Sequence, residues 1–167
     1  MTAIAATRIV NPADADVSLT LEQLWKGLQY KARNPGSFIP VPVVATVVED
    51  EGDKLVRLVR FGPAPEMKEV ITSYPASIVY FDLYPLDAPA AAAPMSRVTN
   101  LISFGPAASA AAPSHDLLLT FTFAPSLPGI APDESAKLSA EQLSDRAGKA
   151  VEMTLQAVRA MAMEGKL

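Results

Sequence analysis

The sequence predicts an α+β fold in which a curved antiparallel sheet of seven strands grips one long C-terminal helix. Three observations carry this expectation. The order of elements is strand, helix, six consecutive strand-like runs and a final helix. The runs are joined mainly by short turns, as in an antiparallel meander rather than a βαβ succession. Ser139-Ala140-Glu141-Gln142 then forms a capping box, and no proline follows it to Leu167.

Residues 3–11 read as a first strand with weak alternation. Thr20-Leu21-Glu22-Gln23 is a second capping box, and Leu21, Leu24, Trp25 and Leu28 fall on one helical stripe, placing Trp25 in the core. Asn34-Pro35-Gly36 stops that helix. Strand-like runs follow at 41–49, 54–61, 67–74, 77–84, 97–104 and 115–123, and Pro42 belongs to a strand start or an edge. Asp50-Glu51-Gly52-Asp53 reads as a hairpin turn, being too short for an EF-hand calcium loop. The Ala/Pro-rich stretches 87–94 and 105–113 read as connectors. From Ser139 to about Glu164 one amphipathic helix of roughly 25 residues is expected, about 37 Å long. Leu143, Ala147, Ala150, Val151, Thr154, Val158 and Met161 form its apolar stripe. Small and flexible side chains on that stripe suit the wall of a cavity.

A chain of 167 residues, 50% hydrophobic and 19% charged, has the composition of one folded domain, 1–167. Its net charge of −4 lacks the basic face that nucleic-acid binding requires. With no cysteine, thiolate chemistry and cysteine-ligated metals are excluded, and the single histidine, His115, cannot build a multi-histidine metal site. No metal or cofactor is expected. His115 follows an Ala/Pro stretch and reads as solvated. No serine has a Gly-x-Ser-x-Gly context, which argues against a hydrolase triad. No signal peptide or run of ~20 apolar residues is present, so the default expectation is a cytoplasmic protein without membrane insertion.

Strand alternation separates inward from outward positions. Leu55, Arg57, Val59 and Phe61 form the more apolar set of their run. With Val59 placed opposite Glu69, the residues Met67, Glu69, Ile71 and Ser73 share that face. Val79, Phe81 and Leu83 face inward with Val98, Asn100, Ile102 and Phe104, and with Leu117, Leu119, Phe121 and Phe123. Tyr80 and Tyr84 face outward. Arg57, Glu69 and Asn100 are then polar side chains in an apolar interior, with Arg57 and Glu69 diagonal across neighbouring strands. Unpaired buried charge is costly, so the two are expected to pair or to meet a ligand. A register slipped by one residue would instead put them on the solvated face. On the inward reading, Glu69 and Arg57 are the candidate catalytic residues. Asn100, Phe61, Ile71, Ile102, Phe104, Phe121, Val151, Thr154 and Val158 are the candidate ligand-binding residues.

The succession resembles the START-like superfamily (SRPBCC), which includes the birch pollen allergen, lipid-transfer domains and aromatic polyketide cyclases. Residues 19–28 (LTLEQLWKGL), 56–62 (VRLVRFG), 68–70 (KEV), 98–103 (VTNLIS) and 118–123 (LLTFTF) are most similar to the AtaL-like family within it. The resemblance implies a helix-grip fold with a cavity between sheet and C-terminal helix. It carries no catalytic signature. The expected partner is a small hydrophobic or aromatic molecule. The leading reading is a pocket protein that binds a small, largely apolar organic molecule between sheet and terminal helix. Within that reading a cofactor-independent cyclase- or isomerase-like role in specialised, polyketide-like metabolism is favoured. Its rivals are a non-catalytic carrier or sensor, and a structural domain with a filled interior.

Overall fold

The computed structural model describes residues 3–39, 41–106, 116–125, 127, 134 and 137–167. In chain order the elements are β1 (Ile4–Ile9), α1 (Leu21–Arg33), a 3-10 turn (Pro35–Ser37), β2 (Val43–Asp50), β3 (Lys54–Phe61), β4 (Met67–Tyr74), β5 (Ile78–Tyr84), β6 (Ser96–Phe104), β7 (Leu117–Ala124) and α2 (Ala140–Met163). All seven strands form one antiparallel sheet in the order β1-β7-β6-β5-β4-β3-β2. Strands β2 to β7 are a meander, and β1 joins its last strand, pairing Ile4 with Phe123 and Ile9 with Leu118.

Both helices begin as their sequences dictate. The Thr20 and Ser139 side chains accept from the backbone N–H of Gln23 and Gln142, and those glutamines accept in turn from the cap N–H groups. Each box satisfies two otherwise unpaired backbone donors. Helix α1 ends at Arg33, immediately before the Asn34-Pro35-Gly36 breaker. The 50–53 stretch is a hairpin turn, with Gly52 at φ +84 and its N–H donating to Asp50 Oδ1.

The inner faces follow the predicted alternation. Leu55, Arg57, Val59, Phe61, Glu69, Ile71, Ser73, Val79, Phe81, Asn100, Ile102, Leu117, Leu119, Phe121 and Phe123 are all buried. One expectation of register needs correction. Arg57 stands directly opposite Glu69, and Val59 opposite Met67. The turn after β3 closes tightly, with Ala64 N–H donating to Phe61 O, so the pairing shifts by two residues. A shift of two preserves every face, which is why the inward set survives it.

Helix α1 is fastened onto the concave face by polar side chains. Gln29 Nε2 donates to Ser73 Oγ at 3.0 Å, and Arg33 forms a two-pronged ion pair with Asp50. Helix α2 lies over β1 and β7 and crosses α1 where Gly27 meets Val158. A Cβ at Gly27 would stand 2.4 Å from Val158 Cγ2, so the crossing needs a residue with no side chain. Among the described residues no helix is long and apolar enough to cross a membrane.

Candidate active site

One end of the concave face is solidly packed beneath α1. The other end holds a cavity of about 350 Å³. Phe61, Phe81, Val98, Phe121 and Phe123 form its sheet wall, and Phe38, Ile39 and Val41 form the side that follows α1. Its mouth carries the exposed Glu134, Arg146 and Lys149, the last two from the first turns of α2. Three charged side chains reach its interior: Lys31, Arg57 and Glu69.

Arg57 is the hub of this group. Its side chain is 2% exposed, and its Nε and Nη2 both converge on Glu69 Oε2, at 2.6 and 2.5 Å. Its Nη1 donates to Ala32 O at 2.6 Å and to Lys31 O at 3.3 Å. Those carbonyls lie in the last turn of α1, where backbone acceptors lack helical partners and a cation is favoured. Both contacts to Glu69 fall on one oxygen, so Oε1 is not engaged by the guanidinium. Burial pushes the Glu69 carboxyl above its ordinary range, with Arg57 pulling the other way.

Lys31 is the third member. Its Nζ donates to Asn100 Oδ1 at 2.9 Å and lies 3.9 Å from the centroid of the Phe121 ring. The amide is neutral and Glu69 is already matched by Arg57, so no counter-ion is dedicated to the ammonium. Desolvation, and then the neighbouring Arg57, push its pKa down to about 7, against a smaller opposing pull from Glu69. Asn100 is fully buried, and its Nδ2 has no partner among the described residues. The site thus presents a neutralised carboxylate, a guanidinium, an amine poised between its two charge states and an unpaired amide donor.

Of the predicted site residues, Arg57, Glu69, Phe61 and Phe121 line the cavity, and Asn100 touches it through Lys31. Ile71 and Ile102 share the inward face but pack into the solid end of the sheet. Phe104 requires correction: it is 50% exposed at the far end of β6, six residues beyond Val98, or about 20 Å along the strand. Val151, Thr154 and Val158 are buried, but α2 turns that stripe onto the core and α1, presenting Arg146, Lys149 and Ala150 to the cavity. His115 lies outside the described residues.

Lys31 was not among the expected residues, yet the sequence carries its signal. Leu24 and Leu28 set the buried stripe of α1, and the next step of three falls on Lys31. A lone lysine continuing an apolar stripe is a buried cation in prospect. Among the described residues, no group of three or more His, Asp or Glu is placed to hold a metal ion.

Residues 4–165 match the family described as acetylaranotin biosynthesis cluster protein L, AtaL. The chain belongs to the AtaL family. Two solved structures show where this AtaL-family fold recurs. One is the di-domain ARO/CYC StfQ from the steffimycin biosynthetic pathway, 11% identical with a TM-score of 0.59, covering 98% of this chain and 51% of that one. The other is the di-domain ARO/CYC BexL from the BE-7585A biosynthetic pathway, 12% identical with a TM-score of 0.53, covering 95% and 48%. The AtaL-family chain therefore spans about half the length of these structures, and at such identity the likeness is one of helix-grip fold. No curated protein matches the sequence.

Proposed function

We propose that this AtaL-family protein binds a small, largely apolar, carbonyl-bearing molecule of polyketide type and closes a ring in it without a cofactor. One observation carries the reading: a buried carboxylate, guanidinium and amine converge in an otherwise aromatic and aliphatic cavity. Pockets of this kind bind by apolar area and orient by a few polar groups. Likeness to two aromatase/cyclases supports the ring-closing class, and the cavity volume suits a one- or two-ring product.

In the proposed step Glu69 is the general base. Its Oε1 removes a proton from a methylene flanked by two carbonyls, and the resulting enolate carbon attacks a second carbonyl carbon of the same molecule. The new C–C bond turns that carbonyl oxygen into an alkoxide, which takes a proton from the Lys31 ammonium. Loss of water from the resulting alcohol then leads toward an aromatic ring: the Lys31 amine takes the remaining proton of the attacking carbon, and the proton held by Glu69 goes to the leaving hydroxyl, so both groups return to their starting charge. Arg57 holds the carboxylate in place, and a carboxyl lifted by burial is a stronger base than one in water. The phenylalanine walls exclude water from the enolate.

The test is turnover of a linear poly-β-ketone mimic, followed by product absorbance, alongside binding of an aromatic analogue. Glu69→Gln should lose about 10²–10⁴-fold in turnover, the usual worth of a general base, while the analogue still binds. Glu69→Asp, which keeps the charge but withdraws the oxygen, should show an intermediate loss in a more stable background. Wild-type turnover in Glu69→Gln would refute the assignment. Tight binding with no turnover by the wild-type protein would identify a carrier.

A further inference from the structure

Proton donation from its ammonium uses only part of the chemistry open to Lys31, whose setting also suits a nucleophile. A lysine that serves only as a hydrogen-bond donor has no need of an apolar, uncompensated setting, and would work better fully charged. Lys31 instead sits against the face of Phe121, in a cavity interior where the Glu69 carboxylate is already taken by a neighbouring cation. Desolvation and a nearby positive charge are the two devices that turn a lysine into a nucleophile. The structure applies both to the same amine.

We propose that Lys31 bonds covalently to a ketone carbon of the ligand, forming a Schiff base on the floor of the cavity. This rests on the carbonyl-bearing class of ligand named above and goes beyond it. The lone pair of Nζ adds to the carbonyl carbon, and the oxygen takes one of the amine's own protons to give a carbinolamine. Departure of that oxygen as water carries off the second amine proton and leaves a C=N bond. Protonation of the imine nitrogen then makes the adjacent carbon more electrophilic, and its α-protons more acidic, than in the parent ketone. Asn100 fits this role. Its Oδ1 holds the amine at 2.9 Å, and its unpaired Nδ2 on the same carboxamide offers a donor to the departing oxygen. The folded environment also supplies reactive amine at neutral pH. With a pKa of about 7, a substantial share of Lys31 is unprotonated there, against roughly one in 10³ or fewer of an ordinary lysine.

The experiment uses the full-length protein, acetylacetone as a simple 1,3-diketone and sodium cyanoborohydride to reduce any C=N bond to a stable secondary amine. Peptide mapping by mass spectrometry locates the label. At pH 7 the expected result is one adduct, on the peptide bearing Lys31, formed at least about tenfold faster than on any other lysine, with a half-maximal rate near pH 7. Labelling spread over surface lysines and rising only toward pH 10 would overturn the proposal. This readout is made on wild-type protein, so it stands even if Lys31→Met folds poorly; where that variant folds, the adduct should vanish. A parallel titration with 2-naphthol, which has no ketone, separates the two readings. Naphthol binding without a Lys31 adduct would refute the Schiff base alone. Failure of both probes would count against the pocket as well.

Discussion

Replacing Glu69 by Gln should cost far more stability than replacing Arg57 by Met, although the two residues share one ion pair. The asymmetry comes from what each partner can do when left alone. Arg57 cannot shed its proton, so in Glu69→Gln a full charge, 2% exposed, is left with neutral acceptors such as the two α1 carbonyls and no counter-ion paired to it. Breaking a buried pair in this way costs about 3–5 kcal/mol. Lys31 also loses the attraction of Glu69, so its pKa should fall below about 7. In Arg57→Met the stranded group is a carboxyl already pushed toward its neutral form by burial, and Lys31 remains nearby as a substitute cation. That variant should lose roughly half as much, or about 2 kcal/mol. Removing both charges should cost less than Glu69→Gln alone, giving a coupling energy of about 2–3 kcal/mol. Urea unfolding followed by Trp25 fluorescence measures all four proteins. With m near 2 kcal/mol/M the Glu69→Gln midpoint should fall by about 2 M, and the thermal midpoint by roughly 10 °C. Additive single variants, or equal losses from the two, would refute the account of the pair.

Lys31 predicts a specific pH profile. Its folded pKa of about 7 lies below the unfolded value of 10.5, so between those values the unfolded chain binds a proton that the folded chain has lost. Stability should therefore rise with pH across that window, at up to ~1.4 kcal/mol per pH unit, and this contribution should level off below pH 7. Urea melts of wild type and Lys31→Met at pH 7.5 and 9.5 check it, because only wild type should carry the extra slope; parallel profiles would contradict it. Gly27→Ala should destabilise by about 1–3 kcal/mol through overpacking against Val158, despite alanine's better helix propensity, and a neutral or raised melting point would show that the helix crossing yields easily. Val151→Asp places an unpartnered carboxylate on the buried face of α2 and should cost at least ~3 kcal/mol; an unchanged thermal melt would mean that face is wrongly assigned.

Most of the fold was legible in local chemistry. Two capping boxes fixed both helix starts to the residue, and glycine or proline turns fixed the strand boundaries to within one or two residues. The inward set was legible because alternation has a period of two, which is insensitive to a shift of two residues. The pairing partner of Glu69 was not legible, since it depends on how tightly the Phe61–Ala64 turn closes. Cavity and packed core could not be told apart by polarity either. Ile71 and Phe61 look alike in a strand pattern, and only the placement of α1 decides which is covered by helix and which faces open space. For α2 the stripe was right but its role was not: Val151, Thr154 and Val158 are apolar enough to line a pocket and are used instead to pack the helix down. Lys31 is not legible from the apolar members of the α1 stripe alone, because the buried face continues through a charged one.

The guanidinium of Arg57 has a bearing on how this scaffold can change over generations. It neutralises Glu69 and also holds the end of α1, and that helix carries the amine whose acidity the same guanidinium helps to set. Charge and shape on the cavity floor are thereby tied to one side chain, and no substitution there alters one property alone. Variation compatible with a folded chain should then collect at Arg146, Lys149 and Glu134, where side chains are exposed and a change costs little. Selection for new ligands would act first on the rim, leaving the floor as an inherited chemistry that successive variants redirect without rebuilding.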